Sequence, residues 1–246
     1  MDGPNIVFFH VGDETIFPIV MVRSVRANNP GAHIIQVTDR VSPDVAGVDE
    51  IVRFDGDSSH PMGFRLECYA RLPTRVPTFF LDTDMICVQP IDPAAALEGN
   101  SAAVCLREYL KDLPLDTGAM GVDLSEHRGR TLGDVYPYVG CVTAAGDPKF
   151  WNSCLDELRR LPAKFWHWFG DQEALRNVVN GGAHKVGWLP ESIYACLVDV
   201  EIDPTKNPKI CHFKGPARKR LMLQCAVQAG FLDAREPLAN GYHIEG

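Results

Sequence analysis

The strongest constraint in the sequence is the alternation of short apolar runs with helix-length segments over residues 1–90. Asn5-Ile-Val-Phe-Phe-His10 is rich in β-branched and aromatic residues and ends at Val11-Gly-Asp13, which predicts a strand running into a loop. A helix fits residues 14–28, with Asn28-Asn-Pro-Gly31 as its stop. His33-Ile-Ile-Gln-Val-Thr38 then reads as a second strand ending in Asp39. This strand, helix, strand unit is about 35 residues long, the size of a crossover between parallel strands. Glu50–Phe54 predicts a third strand, Phe64–Leu72 a helix stopped by Pro73, and Thr78–Leu81 a fourth strand. The expected fold class is α/β, a parallel sheet covered on both faces, with ligands bound at the carboxyl ends of the strands.

The second half is less regular. Ala102–Leu106 and Ala119–Val122 predict strands, and Pro148–Leu161 and Gln172–Val179 predict helices. Pro216–Phe231 is helix-like and apolar nearly all round after its basic start, so it is expected to pack on the body of the protein. With no low-complexity linker, repeat or hinge, residues 1–246 are expected to form one domain. Residues 1–90 would be its first part, ending in the Asp82–Asp84 strand, and residues 91–246 a second part that ends in a closing segment.

Composition removes several function classes. The chain has 246 residues, 46% hydrophobic and 23% charged, which excludes a disordered chain. Its 24 Lys and Arg against 32 Asp and Glu give a net charge of -8, which disfavours a nucleic-acid partner because phosphate backbones need a basic face. The eight cysteines never form a C-x-x-C pair, so they read as buried free thiols in a reducing compartment. Met1-Asp-Gly-Pro4 lacks the basic and apolar regions of a signal peptide, and no window approaches ~18 consecutive apolar residues. The expectation is a cytoplasmic protein with no transmembrane span.

The chemistry concentrates in Phe79-Phe-Leu-Asp-Thr-Asp-Met-Ile-Cys-Val88. Two carboxylates interrupt an apolar run; in an extended segment, Asp82 and Asp84 would project to one side and Thr83 to the other. Burying two like charges is costly unless they share a divalent cation. Asp55-Gly-Asp57 carries the same pattern inside a Gly/Ser turn, where water solvates both carboxylates. Context separates the two pairs.

With these motifs in place, the chain resembles the GT-A glycosyltransferases that use nucleotide sugars, in particular the retaining group containing glycogenin and the lipopolysaccharide galactosyltransferases. The resemblance rests on His10-Val-Gly-Asp13, Tyr69-Ala-Arg-Leu72, Leu81–Asp84, Asp116-Thr-Gly118, Asp171-Gln-Glu173 and His212-Phe-Lys-Gly-Pro-Ala-Arg218, in family order. Asp116 stands where the family carries Asn, and Arg218 where it carries Lys. The resemblance implies a Rossmann-like GT-A fold with a mixed, mostly parallel sheet flanked by helices, in which residues 1–90 bind the nucleotide and residues 91–246 face the donor sugar and acceptor. It also implies transfer of a sugar from a nucleoside diphosphate, UDP above all, to an unknown glycan, lipid-linked or protein acceptor.

The resemblance further implies a set of roles. Asp82, Asp84 and His212 would ligate the cation, and this mixed carboxylate and imidazole set suits Mn2+ better than Mg2+. His10, Val11, Asp13, Arg71, Asp82, Thr83, Asp116, Gly215, and Arg218 or Lys219 would contact the donor nucleotide sugar, with Arg65 a weaker candidate. Lys214 and Arg220 complete a basic run that would meet the diphosphate. Asp171 and Gln172 would lie beside the anomeric carbon, although Asp171 also suits a helix N-cap. Asp39 reads as a turn residue. Trp151, Trp166 and Trp168 either stack on a sugar or belong to the core. The rival readings are a catalytically silent nucleotide-sugar-binding protein and a sugar nucleotidyltransferase, the latter disfavoured by the acidic loop Gly12-Asp-Glu14.

Overall fold

Along Asn5–Phe9 (β1), Ile6 and Phe8 enter one apolar layer and Val7 another, and all three are fully buried. Such a strand needs cover on both faces, and the rest of the chain supplies it. The computed structural model describes residues 3–74, 76–115, 122–166 and 169–242. After β1 come α1 (Ile16–Asn28), β2 (His33–Thr38), β3 (Glu50–Arg53), α2 (Pro61–Arg71), β4 (Thr78–Leu81), β5 (Met85–Cys87), α3 (Pro93–Leu97) and β6 (Ala102–Leu106). The second half contributes α4 (Leu132–Val135), β7 (Tyr138–Ala145), α5 (Lys149–Arg160), α6 (Gly170–Asn180), β8 (Val186–Pro190), α7 (Glu191–Tyr194), β9 (Cys196–Leu197), β10 (Ile210–His212), α8 (Pro216–Gln228) and α9 (Arg235–Ala239).

Seven strands form one sheet in the order β3-β2-β1-β4-β7-β6-β8. The pairs β3/β2, β2/β1, β1/β4 and β6/β8 are parallel, and β7 runs antiparallel to both its neighbours. One face carries Ile6, Phe8, Phe79 and Leu81 against Met21, Val22 and Val25 of α1. The other carries Val7, Val37 and Phe80 against Phe64 and Leu66 of α2 and Trp151, Leu155 and Leu158 of α5. Each such side chain contributes roughly 1.5–3 kcal/mol when fully buried. A second sheet, ordered β5-β10-β9, packs Ile86, Cys211 and Phe213 on Met222, Leu223, Cys225 and Ala226 of α8, as expected for that apolar helix.

Every strand expected within residues 1–90 is present, and β2, β4 and β6 have the expected bounds. Four features differ or were not foreseen. Asp82–Asp84 forms a bend joining β4 of the large sheet to β5 of the small one, where an extended segment was expected. β7 was not read as a strand because its Gly, Cys, Thr and Ala residues show no polar/apolar alternation, a consequence of cover on both faces. The two- and three-residue strands β5, β9 and β10 are set by tertiary pairing. The expected strand Ala119–Val122 falls outside the described residues except for Val122, which sits in a bend. All eight cysteines are free and buried, and among the described residues no helix is long and apolar enough to cross a membrane.

Candidate active site

The bend at Asp82–Asp84 is pinned from both sides. Asp82 N donates to Cys141 O of β7 at 2.9 Å, and Phe213 N donates to Asp84 O at 2.9 Å. The antiparallel register of β10 with β5 sets His212 opposite Met85, next to Asp84. The result brings together residues 130 positions apart in sequence. One ligand atom from each of Asp82, Asp84 and His212 lies within 4.8 Å of the others, and His212 Nε2 stands 3.4 Å from Asp84 Oδ1. Among the described residues this is the one such group of three, and its mixed oxygen and imidazole donors fit a divalent cation such as Mn2+.

Electrostatics at the trio are those of charges drawn out of water. Burial pushes the Asp82 carboxyl up to about 6, against the pull of Arg65, and the Asp84 charge adds to the rise. Burial acts on Asp84 in the same direction, but its hydrogen bond with His212 prevails and holds that carboxyl below its ordinary value. Burial opposes a charged His212; its hydrogen bonds with the Cys141 sulfur and Asp84, and the Asp84 charge, overcome it and favour the imidazolium. The Cys141 thiol, hydrogen-bonded with Cys105 and buried, is held well above its usual range and stays neutral.

Arg65 ties the trio to α6. Its Nη1 donates to Asp82 Oδ1 at 2.6 Å and its Nη2 to Asp171 Oδ2, and the Arg65 and Asp171 side chains are 11% and 6% exposed. Asp171 therefore does not cap α6: Phe169 occupies the N-cap position with φ +72°, and Asp171 lies in the first turn, beside the positive end of the helix dipole. Gly170 is required there, since a Cβ would run into Phe165 O. With its amide oriented so that the oxygen faces Gly140 N, Gln172 accepts from that N–H at 2.9 Å and donates to Tyr138 O at 3.2 Å, which anchors it to β7.

These residues line a cavity of about 670 Å3 at the carboxyl ends of the strands, within the size range of small-molecule sites. Gly215 turns the chain into α8 with φ +89°, and Lys214, Lys219 and Arg220 line the same cavity together with Phe17 and Tyr242. Lys219 Nζ sits 5.3 Å from the Phe17 ring centroid, and Tyr242 Oη donates to Glu14 Oε2 at 2.8 Å. Among the described residues, five Lys and Arg side chains line the cavity against three Asp, an excess of basic groups in an acidic chain.

Several expected positions lie elsewhere. Arg71 is turned off the cavity, its Nη1 donating to Asp55 O at 3.0 Å and its guanidinium lying 4.6 Å from the Phe54 centroid. Arg218 pairs with Asp199 at the surface, which leaves Lys219 as the member of that pair on the cavity wall. His10 is buried at the end of β1 with Nε2 lacking a hydrogen-bond partner, and burial lowers its pKa. Val11, Asp13 and Thr83 do not line the cavity, and Asp116 lies outside the described residues. Trp151 is a core residue between Tyr69 and Phe80; Trp166 lines a separate cavity of about 190 Å3; Trp168 lies outside the described residues. Asp39 is a turn residue, its carboxylate accepting from Val41 N and Ser42 N. Asp55 and Asp57 pair with Arg40 and His60 at the surface, apart from the cation trio. Arg107, Phe169 and Tyr242 were missed; Arg107 alone had a legible signal, a charge placed directly after a strand.

No family model and no curated protein sequence matches this chain significantly. Solved structures do. The galactosyltransferase LgtC in complex with donor and acceptor sugar analogs superposes with a TM-score of 0.59 at 14% identity, covering 96% of this chain and 99% of LgtC. An active-site mutant of LgtC gives a TM-score of 0.60 at 15% identity with the same coverage. The glycosyltransferase GlyE of Streptococcus pneumoniae TIGR4 gives 0.52 at 13%, covering 100% of this chain and 66% of GlyE. The fold is GT-A. At these identities the likeness is one of fold, so the chemistry of the GT-A site in this chain has to be argued from its own side chains.

Proposed function

We propose that this chain transfers a sugar from a UDP-linked nucleoside diphosphate sugar to a hydroxyl of a glycan, lipid-linked or protein acceptor. Asp82, Asp84 and His212 would hold a divalent cation, Mn2+ or Mg2+. The observation that carries this reading is one cavity of a GT-A fold lined both by a carboxylate and imidazole trio and by the basic side chains of Lys214, Lys219 and Arg220. When bound, the cation supplies neutralising charge for the departing diphosphate. Lys214, Lys219 and Arg220, with the free N–H groups at the start of α8, meet the remaining phosphate oxygens. To hold the cation, His212 would have to be the neutral imidazole. His10, Val11, Asp13 and Thr83, near the carboxyl ends of β1 and β4, are assigned to the nucleoside, and Asp116 to the donor sugar.

Asp171 and Gln172 position the transferred sugar. Because the Asp171 carboxylate is held by the buried Arg65 guanidinium, it is a weakened nucleophile, which supports a same-face route over a covalent sugar on Asp171. In that route the bond from the anomeric carbon to the diphosphate breaks and the acceptor oxygen bonds to the same face. The acceptor proton passes to the leaving diphosphate oxygen, and configuration is retained. The test incubates the protein with a panel of nucleotide sugars and follows diphosphate release with Mn2+, with Mg2+ and with chelator. Metal-dependent release is expected, and Asp84→Asn should lower it at least about a hundredfold. Release that is equally fast in chelator would refute the cation site. Product configuration by NMR decides retention.

A further inference from the structure

Among the described residues two buried guanidinium groups line the cavity, and only one forms direct ion pairs with protein carboxylates. Arg65 holds two carboxylates, Asp82 and Asp171. Arg107, 9% exposed, follows β6 and forms no ion pair among the described residues. Its Nε donates to Tyr136 O at 2.7 Å and its Nη2 to Tyr138 O at 3.4 Å. These two carbonyls fix the plane of the group along its Nε/Nη2 edge. Three of its five N–H donors, at the Nη1/Nη2 end of the fork, have no protein partner among the described residues. Glu191, whose negative charge is felt at Arg107, uses one carboxylate oxygen to accept from Glu108 N at 2.6 Å and Tyr109 N at 2.7 Å.

A buried positive charge with open donors on a cavity wall is costly in the empty protein and is relieved by an anion from the ligand. Diphosphate chemistry already has Lys214, Lys219 and Arg220, on a different element of the same cavity. A single guanidinium end, with one charge and parallel donors, matches the two oxygens of one carboxylate. Resting on the reading of this site as a sugar transferase, we propose that Arg107 receives the carboxylate of a sugar acid, so that either the transferred sugar or the acceptor is a uronate. Val139 and Phe169 give the adjoining wall an apolar surface for the ring.

The experiment compares substrates that differ only in oxidation at C6. UDP-glucose is set against UDP-glucuronate, and UDP-galactose against UDP-galacturonate, as donors; alkyl glucosides are set against alkyl glucuronides as acceptors. In one arm, kcat/KM is expected to favour the uronate by about tenfold or more, and the arm identifies which substrate carries the carboxylate. Arg107→Gln should bring that ratio toward one. A wild type that favours the neutral sugar in both arms, or a preference that survives in Arg107→Gln, overturns the proposal. Because Arg107 also ties down the 136–138 segment, a second measurement uses the wild-type protein alone. Glucuronate and glucose are titrated in the presence of UDP and Mn2+ and followed by ligand-observed NMR. Glucuronate should bind about tenfold more tightly or better, and equal affinity overturns the proposal. If no nucleotide sugar is turned over, the transferase reading fails, while this titration still decides whether Arg107 takes a carboxylate.

Discussion

At the scale of single residues, Arg65 is the side chain on which the site depends most. It offsets the charges of the buried Asp171 and of Asp82, whose side chain is 31% exposed, and removing one partner of a buried pair leaves the other uncompensated. Arg65→Ala should cost about 3–5 kcal/mol in urea denaturation. Adding Asp171→Asn should recover part of that loss, since the orphaned charge is then gone; a double variant no more stable than Arg65→Ala would contradict the pairing. The carboxylate pair Asp82/Asp84 was legible from the sequence, but the choice among basic residues was not. Arg65 and Arg71 are six residues apart on α2, which at 3.6 residues per turn sets them about 120° apart around the axis, so only one can face the cavity. Arg218 and Lys219 divide in the same way on α8, one toward Asp199 and the other toward Phe17.

At the scale of elements, the helix starts and the turns carry the site. The α6 start is built on close approach, and Gly170→Ala should destabilise the protein by about 2 kcal/mol or more by forcing Phe165 O aside, read as a lower denaturation midpoint. The loop after β2 depends on a carboxylate. Burial tends to raise the Asp39 pKa, but hydrogen bonds from Ser42 and Val41 prevail and hold it below 3.8. A depressed carboxyl stabilises the fold above its unfolded pKa and loses that contribution as pH falls through the folded value. The wild type should therefore lose stability between about pH 4 and lower pH more steeply than Asp39→Asn, in denaturation measured across that range. Parallel slopes for the two proteins would show that Asp39 contributes nothing to acid sensitivity.

At the scale of the whole molecule, an acidic chain of net charge -8 presents a cavity lined, among the described residues, by five basic and three acidic side chains. UDP with Mn2+ at a hundred times its dissociation constant should stabilise the protein by about 2.7 kcal/mol, and Tm should rise by ~5 °C or more in thermal unfolding. Chelator should reverse most of the shift, and an unchanged Tm would argue against binding at this cavity. The sequence by itself determined the α/β class, the parallel strands of residues 1–90 and the Asp82/Asp84 pair. Those signals are local: strand composition, helix stops, and two charges inside an apolar run. Only the tertiary structure decided that β7 reverses direction inside the sheet, that His212 pairs opposite Met85, and that Arg65, Lys219 and Arg107 face the cavity while Arg71 and Arg218 do not. Strand order, short-strand register and helix phase are fixed by burial against distant parts of the chain, and a one-dimensional pattern does not record which distant part that will be.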